Sequence, residues 1–285
     1  EIVSRDWSSD VCSSDLSGRA LSTNYGHMGG VPRKGVSFAR LACAAASVAL
    51  VLGAGEAVAQ GRGGGGAAAQ APQSGRAGAL RDLTGYWVSV VAEHWHLRML
   101  VPPKGDTTMI PVTAEARRIT NEWDPARDQA SGEACRAYGA PTILRVPGRL
   151  HITWADDNTL KIDTDAGTQT RLLHFGATGA GATEAPSWQG YSVATWRRPM
   201  RQGADPKAGD LRVVTSRLRP GYLRKNGVPY SDATTMEEYF DTFREPNGDV
   251  WLVVDTVVND PKYLTQPYVD RKSTRLNSSH VKRSR

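Results

Sequence analysis

The chain has 285 residues, with 35 Lys and Arg against 29 Asp and Glu, for a formal charge of +6, and three cysteines. The basic surplus is unevenly placed: five basic residues precede residue 60 and six follow residue 270, so the stretch between them carries 24 basic and 24 acidic side chains. A neutral body has no electrostatic footprint for a phosphate backbone, which excludes nucleic acid as a partner.

Residues 1–27 show little periodicity and an internal echo, Ser8-Ser9-Asp10 and Ser13-Ser14-Asp15. Residues 4–16 resemble translated sequencing-adapter sequence, and Arg271-Lys272-Ser273-Thr274-Arg275-Leu276-Asn277-Ser278-Ser279-His280 resembles the matching read-through. Segments 1–27 and 271–285 are therefore set aside as adapter-derived and disordered. From Met28 the sequence follows the grammar of a secretory signal over 28–59. Arg33, Lys34 and Arg40 precede an apolar stretch at 41–55, and Ala57-Val58-Ala59 forms a small-x-small cleavage site. An apolar run of about 15 residues is short of the roughly 20 that span a bilayer, so the reading is a cleaved leader, a periplasmic or secreted protein and no membrane span. Cys43 precedes the apolar run instead of ending it, which argues against a lipid anchor. Cys12 and Cys43 fall outside the mature body, which leaves Cys135 as a passive thiol.

Residues 60–80, with Gly63-Gly64-Gly65-Gly66 and Ala67-Ala68-Ala69, read as a flexible linker to one domain over 81–270. Structure begins with the β-rich run Asp82-Leu83-Thr84-Gly85-Tyr86-Trp87-Val88-Ser89-Val90-Val91. Gly85-x-Trp87 heading a first strand resembles the opening of lipocalin-like barrels, a likeness that implies a Trp plugging the closed end. His94-Trp95-His96 follows. In a strand the two imidazoles share a face about 7 Å apart. That makes His94 and His96 weak metal candidates, because no third ligand completes the set by spacing. Thr113 N-caps one short helix ending before Asp124-Pro125, and residues 126–141 form a loop or helical excursion over a barrel end.

Residues 150–175 alternate apolar and polar side chains through three strands, with turns at Ala155-Asp156-Asp157-Asn158 and Asp165-Ala166-Gly167. The run Leu172-Leu173-His174-Phe175 reads as buried on both faces. Asp163-x-Asp165-x-Gly167 lacks the closing Glu of a calcium loop and is read as a turn. Gly190-Tyr191-Ser192-Val193-Ala194 lacks the last Gly of a nucleophile elbow, and Arg197-Arg198-Pro199 stands where its helix belongs. Further strands lie at 188–196, 211–218, 234–243 and 250–258, the last two flanking the hairpin turn Pro246-Asn247-Gly248-Asp249. Glu237 and Glu238 are neighbours on a strand and so face opposite ways.

The fold class is mainly β: an antiparallel meander closing into a lipocalin-like barrel or sandwich, with one short helix. Asp82 to Trp87, Gly221-Tyr222-Leu223-Arg224-Lys225-Asn226-Gly227-Val228-Pro229-Tyr230-Ser231 and Asp260-Pro261-Lys262-Tyr263-Leu264-Thr265-Gln266-Pro267 together resemble a family of uncharacterised secreted bacterial proteins. The resemblance implies a β-rich periplasmic protein and assigns no activity or functional residue. A barrel cavity taking a small apolar or amphipathic ligand is the leading functional reading, with Trp87, Trp154, His174, Trp196, Tyr222 and Arg224 as pocket candidates and no cofactor. Two alternatives stand beside it: an enzyme using the same cavity, with His174, Tyr222 and Arg224 as its polar groups, or a structural, partner-binding protein.

Overall fold

A computed structural model of the chain describes residues 74–91, 93–176, 183–199 and 208–276. The leader expected at 28–59, the first 27 residues and most of the Gly-rich stretch lie outside the described residues. Alternation decides the architecture. Strands β1 (Gly85–Val90), β2 (Arg149–Asp156), β3 (Thr159–Thr164) and β4 (Gln169–Phe175) pair in antiparallel sequence; β2, β3 and β4 bury alternate side chains, and β1 buries Trp87. The two turns inside this meander follow the expected chemistry: the Asp156 carboxylate accepts from the Asn158 amide at 2.7 Å, and Gly167 adopts a φ of 63°. Leu172, expected to be buried, is 41% exposed, because strict alternation puts it on the outer face between Arg171 and Leu173.

Past β4 the chain crosses over and returns as β5 (Tyr191–Arg197), which runs parallel to β4 through Leu173↔Ser192, His174↔Val193 and Phe175↔Ala194. It then continues antiparallel through β6 (Asp210–Ser216), makes the small hairpin β7 (Gly221–Tyr222) and β8 (Pro229–Tyr230), and re-enters the sheet as β9 (Thr235–Arg244) and β10 (Val250–Asn259). β9 and β10 turn at Gly248, whose amide donates to the Glu245 carbonyl at 2.9 Å. β11 (Tyr268–Leu276) pairs with both β10 and β1, so nine strands close in the order β1-β11-β10-β9-β6-β5-β4-β3-β2. Directions cannot alternate all the way round an odd ring. One parallel seam is therefore required, and the β4–β5 pair supplies it.

Two boundaries move. β11 extends through residues 271–276, so the limit drawn at Asp270 falls inside the closing strand, where Trp87 pairs with Leu276. At the other end, Gly75 is seated on the barrel: its carbonyl accepts from Trp196 Nε1 at 2.8 Å, its amide donates to Asn158 Oδ1 at 2.9 Å, and Leu80 is buried. A Cβ on Gly75 would lie 2.2 Å from the Phe175 ring, so only glycine allows this approach.

The interior is layered. Behind Trp154, Phe175 and Trp196 lies an apolar layer of Trp87, Leu150, Ile152, Leu160, Ile162, Leu173, Val213, Phe240 and Val254. Buried aromatic and branched residues at this density stabilise by about 1.5–3 kcal/mol each. Next comes a polar layer of Arg171, Ser192, Thr215, Glu238 and Thr256, all nearly inaccessible. The far end is roofed by short helices, α1 (Trp95–Arg98), α2 (Ala114–Glu122), α3 (Pro125–Ala130) and α4 (Ala140–Ile143), together with the β7–β8 hairpin.

Four short α-helices replace the single one expected. Thr113 Oγ1 caps α2 by accepting from the Ala116 amide at 3.3 Å. Asp124-Pro125, which ends α2, also begins α3: the Asp124 carboxylate accepts from the Ala126 amide at 3.0 Å, and Pro125 supplies the first turn. His94-Trp95-His96 is helical instead of extended. His94 sits before the first turn at a φ of 48°, and all three side chains are exposed, so the shared strand face does not form. Cys135, read as a passive thiol, is disulfide-bonded; Cys12 and Cys43 lie outside the described residues.

Asp260 ties the roof to the barrel. Its carboxylate accepts from the Ser231 amide at 2.6 Å, Ser231 Oγ at 3.0 Å, Thr234 Oγ1 at 2.8 Å, and the amides of Lys262 and Tyr263 at 2.8 and 3.0 Å. Burial pushes this carboxyl up, but the Ser231, Thr234, Lys262 and Tyr263 donors outweigh it and hold it below its usual range. A depressed carboxyl stabilises above its unfolded pKa of about 4 and loses that contribution as pH falls through the lower folded value. Asp260→Asn should cost about 1.5 kcal/mol at pH 7. In urea melts the gap between the two proteins should close below about pH 4; a gap that stayed constant with pH would refute the assignment.

Candidate functional site

The roof contains the site. Three arginines reach one small pocket from three separate segments. Arg98 closes α1, Arg145 follows α4, and Arg224 lies in the β7–β8 turn. Each is held by local structure. Pro141 lies in the first turn of α4, and the Thr142 hydroxyl donates to the Tyr222 carbonyl at 2.6 Å, fixing α4 to β7. The Asn226 side-chain amide donates to the carbonyls of Pro103 and Asp106 at 3.0 and 2.8 Å, clamping the turn to the loop after α1. Gly227, at a φ of 85°, packs where a Cβ would come within 2.1 Å of the Trp123 ring, so this turn requires glycine.

All three arginines are buried, at 6%, 5% and 4% exposure for Arg98, Arg145 and Arg224. Arg98 Nε donates to the Arg145 carbonyl at 3.3 Å, and Arg224 Nη2 donates to the Thr108 carbonyl. Arg145 Nε lies 3.6 Å from Asp270 Oδ2, a carboxylate it shares with Lys272 at 3.1 Å. Among the described residues neither Arg98 nor Arg224 has a carboxylate at ion-pair distance. Arg145 Nη1 and Arg224 Nε and Nη1 are buried with no hydrogen-bond partner.

Electrostatics follow from that geometry. Burial pushes all three arginines below their ordinary pKa, Arg224 to about 10, with Arg145 adding repulsion on both neighbours. Burial pushes the Asp270 carboxyl up, but Lys272 and Arg145 pull it down by more, so it remains an anion serving cations on both sides. The site thus concentrates positive charge in a low-dielectric place where N–H donors stand unused, an arrangement that is costly unless an anion completes it. Leu97, Leu100, Val101, Pro102, Val146 and Leu223 form the apolar wall. The space between wall and guanidiniums is about 30 Å³. That is the share of about one water molecule, enough for the oxygens of one anionic group and too little for a whole ligand.

The six pocket residues expected from sequence do not converge. Trp87 fills the barrel core, its indole N–H donating to the Leu83 carbonyl at 2.9 Å. Trp154 and Trp196 flank Phe175 at the end covered by Gly75. His174 is half-buried outside the barrel and stacks on Tyr191 at 4.8 Å. Tyr222 lines a second concavity of about 280 Å³ with Trp123, Asp128, Tyr230 and Tyr263, and its hydroxyl donates to the Asp128 carboxylate at 2.9–3.0 Å. Burial and that carboxylate push the Tyr222 phenol well above its usual pKa. Arg224 alone reaches the cationic pocket, and sequence reading missed Arg98 and Arg145. Their signal was an arginine inside an apolar run, Leu97-Arg98-Met99-Leu100 and Leu144-Arg145-Val146.

The rejected motifs have structural explanations. Ser192 is inaccessible inside the barrel, 2.8 Å from Thr215 Oγ1. Asp163 pairs with Lys161 and Thr170, while Asp165 pairs with Arg149. Glu237 faces outward to Arg212 and Glu238 inward to Arg171. Among the described residues no group of three or more His, Cys, Asp or Glu is placed to hold a metal, and no helix is long and apolar enough to cross a membrane. Compared with protein families, curated proteins and solved structures, this chain matches none of them.

Proposed function

We propose that this protein binds an amphipathic anion through its head group, with a carboxylate or phosphoryl oxygen set between Arg98, Arg145 and Arg224 and the apolar part lying along Leu97, Leu100, Val101 and Leu223. The observation that carries the reading is the set of buried, unpartnered guanidinium N–H groups on Arg145 and Arg224, two of the residues that line one small concavity beside Arg98. Guanidinium groups present donors in a fixed fork that matches such oxygens, and charge-assisted hydrogen bonds are roughly twice as strong as neutral ones. The barrel core is packed with side chains around Trp87, Ile162 and Phe240. The ligand of this proposal therefore sits on the roof, not in the barrel. With the signal-like leader at 28–59, the binding takes place outside the cytoplasm.

Thermal melts in phosphate, glycerol phosphate, acetate and octanoate test the proposal. Binding to the native state alone should add about 1.4 kcal/mol of stability at ten times Kd. Octanoate should act at lower concentration than acetate, since each buried CH₂ adds about 0.8 kcal/mol. Equal effects of all four anions, persisting in Arg145→Met, would reduce the phenomenon to general salt stabilisation and sink the proposal.

A further inference from the structure

The wall of the cationic pocket continues outward as an apolar ridge. Trp95 is 60% exposed and Leu100 62%, with Met99 and Val101 close to half exposed. The Met99 amide donates to the Trp95 carbonyl at 2.7 Å, which places the two one turn apart at the head of the run. Met109, also about half exposed, follows Thr108, whose carbonyl holds Arg224. Single exposed apolar residues are ordinary, but four within seven positions, against a buried positive pocket, mark an interaction surface.

The charges around the ridge identify what covers it. Arg98, Arg145 and Arg224 stand behind it, exposed Lys104 lies just beyond Pro103, and Lys225 lines the same pocket. The carboxylates facing this group are Glu93, Asp106 and Asp270, the last already engaged by Arg145 and Lys272. Positive charge therefore exceeds negative. Trp, Leu and Met flanked by Arg and Lys is the composition of a segment resting at the level of lipid head groups, where aromatic rings and acyl chains meet and basic groups reach phosphates.

We infer that residues 95–101 dock this protein on an anionic lipid bilayer, the ridge entering the head-group region and one lipid phosphate entering the Arg98–Arg145–Arg224 pocket. This rests on the anion-binding reading above and names the source of the anion. A head-group site with room for one set of oxygens and a tail left outside suits a lipid that stays in its membrane.

Sedimentation with vesicles of phosphatidylcholine alone, or with phosphatidylglycerol mixed in, gives the test. Wild-type protein should partition at least about tenfold more strongly onto the anionic vesicles, because basic residues near such a surface are drawn to its negative potential. The double variant Trp95→Ser/Met99→Ser should lose that binding while keeping its stabilisation by inorganic phosphate, because both side chains are exposed and neither lines the pocket. Two results overturn the docking and leave the pocket standing: equal binding to both vesicle types, or a ridge variant that binds like wild type, each with the phosphate effect intact. A wild-type dimer that dissociates in the ridge variant, with no vesicle binding, would assign the ridge to a second copy of the chain and also overturn it. Loss of the phosphate effect in wild type itself would remove the pocket, and the docking with it.

Discussion

Arg171→Met is expected to destabilise the barrel by about 3–5 kcal/mol, the range for removing one partner of a buried ion pair. Arg171 on β4 reaches across β5 and β6 to Glu238 on β9, Nη2 to Oε2 at 2.5 Å, with both side chains at 3% exposure or less. On the way, Ser192 Oγ accepts from Nε and Nη2 at 3.2 Å and Thr215 Oγ1 from Nη2 at 2.8 Å. With methionine in place, the Glu238 carboxylate would remain inside the barrel with only the more distant charge of Lys272 to answer it. The double variant Arg171→Met/Glu238→Leu removes both charges and should return to within about 1 kcal/mol of wild type, since a well-packed apolar replacement of a buried pair is often neutral or stabilising. Urea unfolding of the four proteins forms a double-mutant cycle. Additive costs would mean the pair is not coupled and the cycle would reject this account. The pair's value is in pinning four adjacent strands, including the parallel seam, in one register.

That network also shows where sequence reading stops. The meander at 149–175 and the β9–β10 hairpin were legible because turn chemistry and period-2 alternation are both local, and Asp156, Asn158 and Gly248 behave as their side chains dictate. Glu237 and Glu238 facing opposite ways followed from the same period. Alternation reports that a face is buried, not what it pairs with, so nothing in residues 169–197 announced that β4 and β5 lie parallel. Polar inward positions are misread for the same reason: Gln169 and Arg171 share the buried face with Leu173 and Phe175, yet their chemistry alone points outward. His94-Trp95-His96 could satisfy either period over three residues, and the helical turn won. In the site, Arg224 could be named from its segment, but its convergence with Arg98 and Arg145 is a tertiary fact created by the Asn226 clamp and the tie from Thr142 to Tyr222.

Arg224→Met should make the ligand-free protein more stable while abolishing its response to phosphate. Burial and Arg145 lower the Arg224 pKa to about 10, so at neutral pH the guanidinium stays charged but its charge costs more in the folded state than in the unfolded chain. At 1.36 kcal/mol per pH unit this costs about 3 kcal/mol. Methionine removes that cost and keeps much of the packing, while the lost hydrogen bond to the Thr108 carbonyl returns about 1 kcal/mol, for a net gain of about 2 kcal/mol. The sign can be checked with pH. Below about 10 the penalty in wild type is complete; above it the folded arginine gives up its proton before the unfolded one does, so wild type should gain on the variant as pH rises past 10. Urea midpoints at pH 7 and at alkaline pH, each with and without phosphate, separate the outcomes. A variant destabilised at pH 7 would mean the guanidinium is already satisfied within the protein, and with that the reason for an anion in this pocket would disappear. A more stable variant that ignores phosphate would show that the fold bears an unfavourable charge in order to present it to a ligand, since an arginine kept for stability alone would not behave this way.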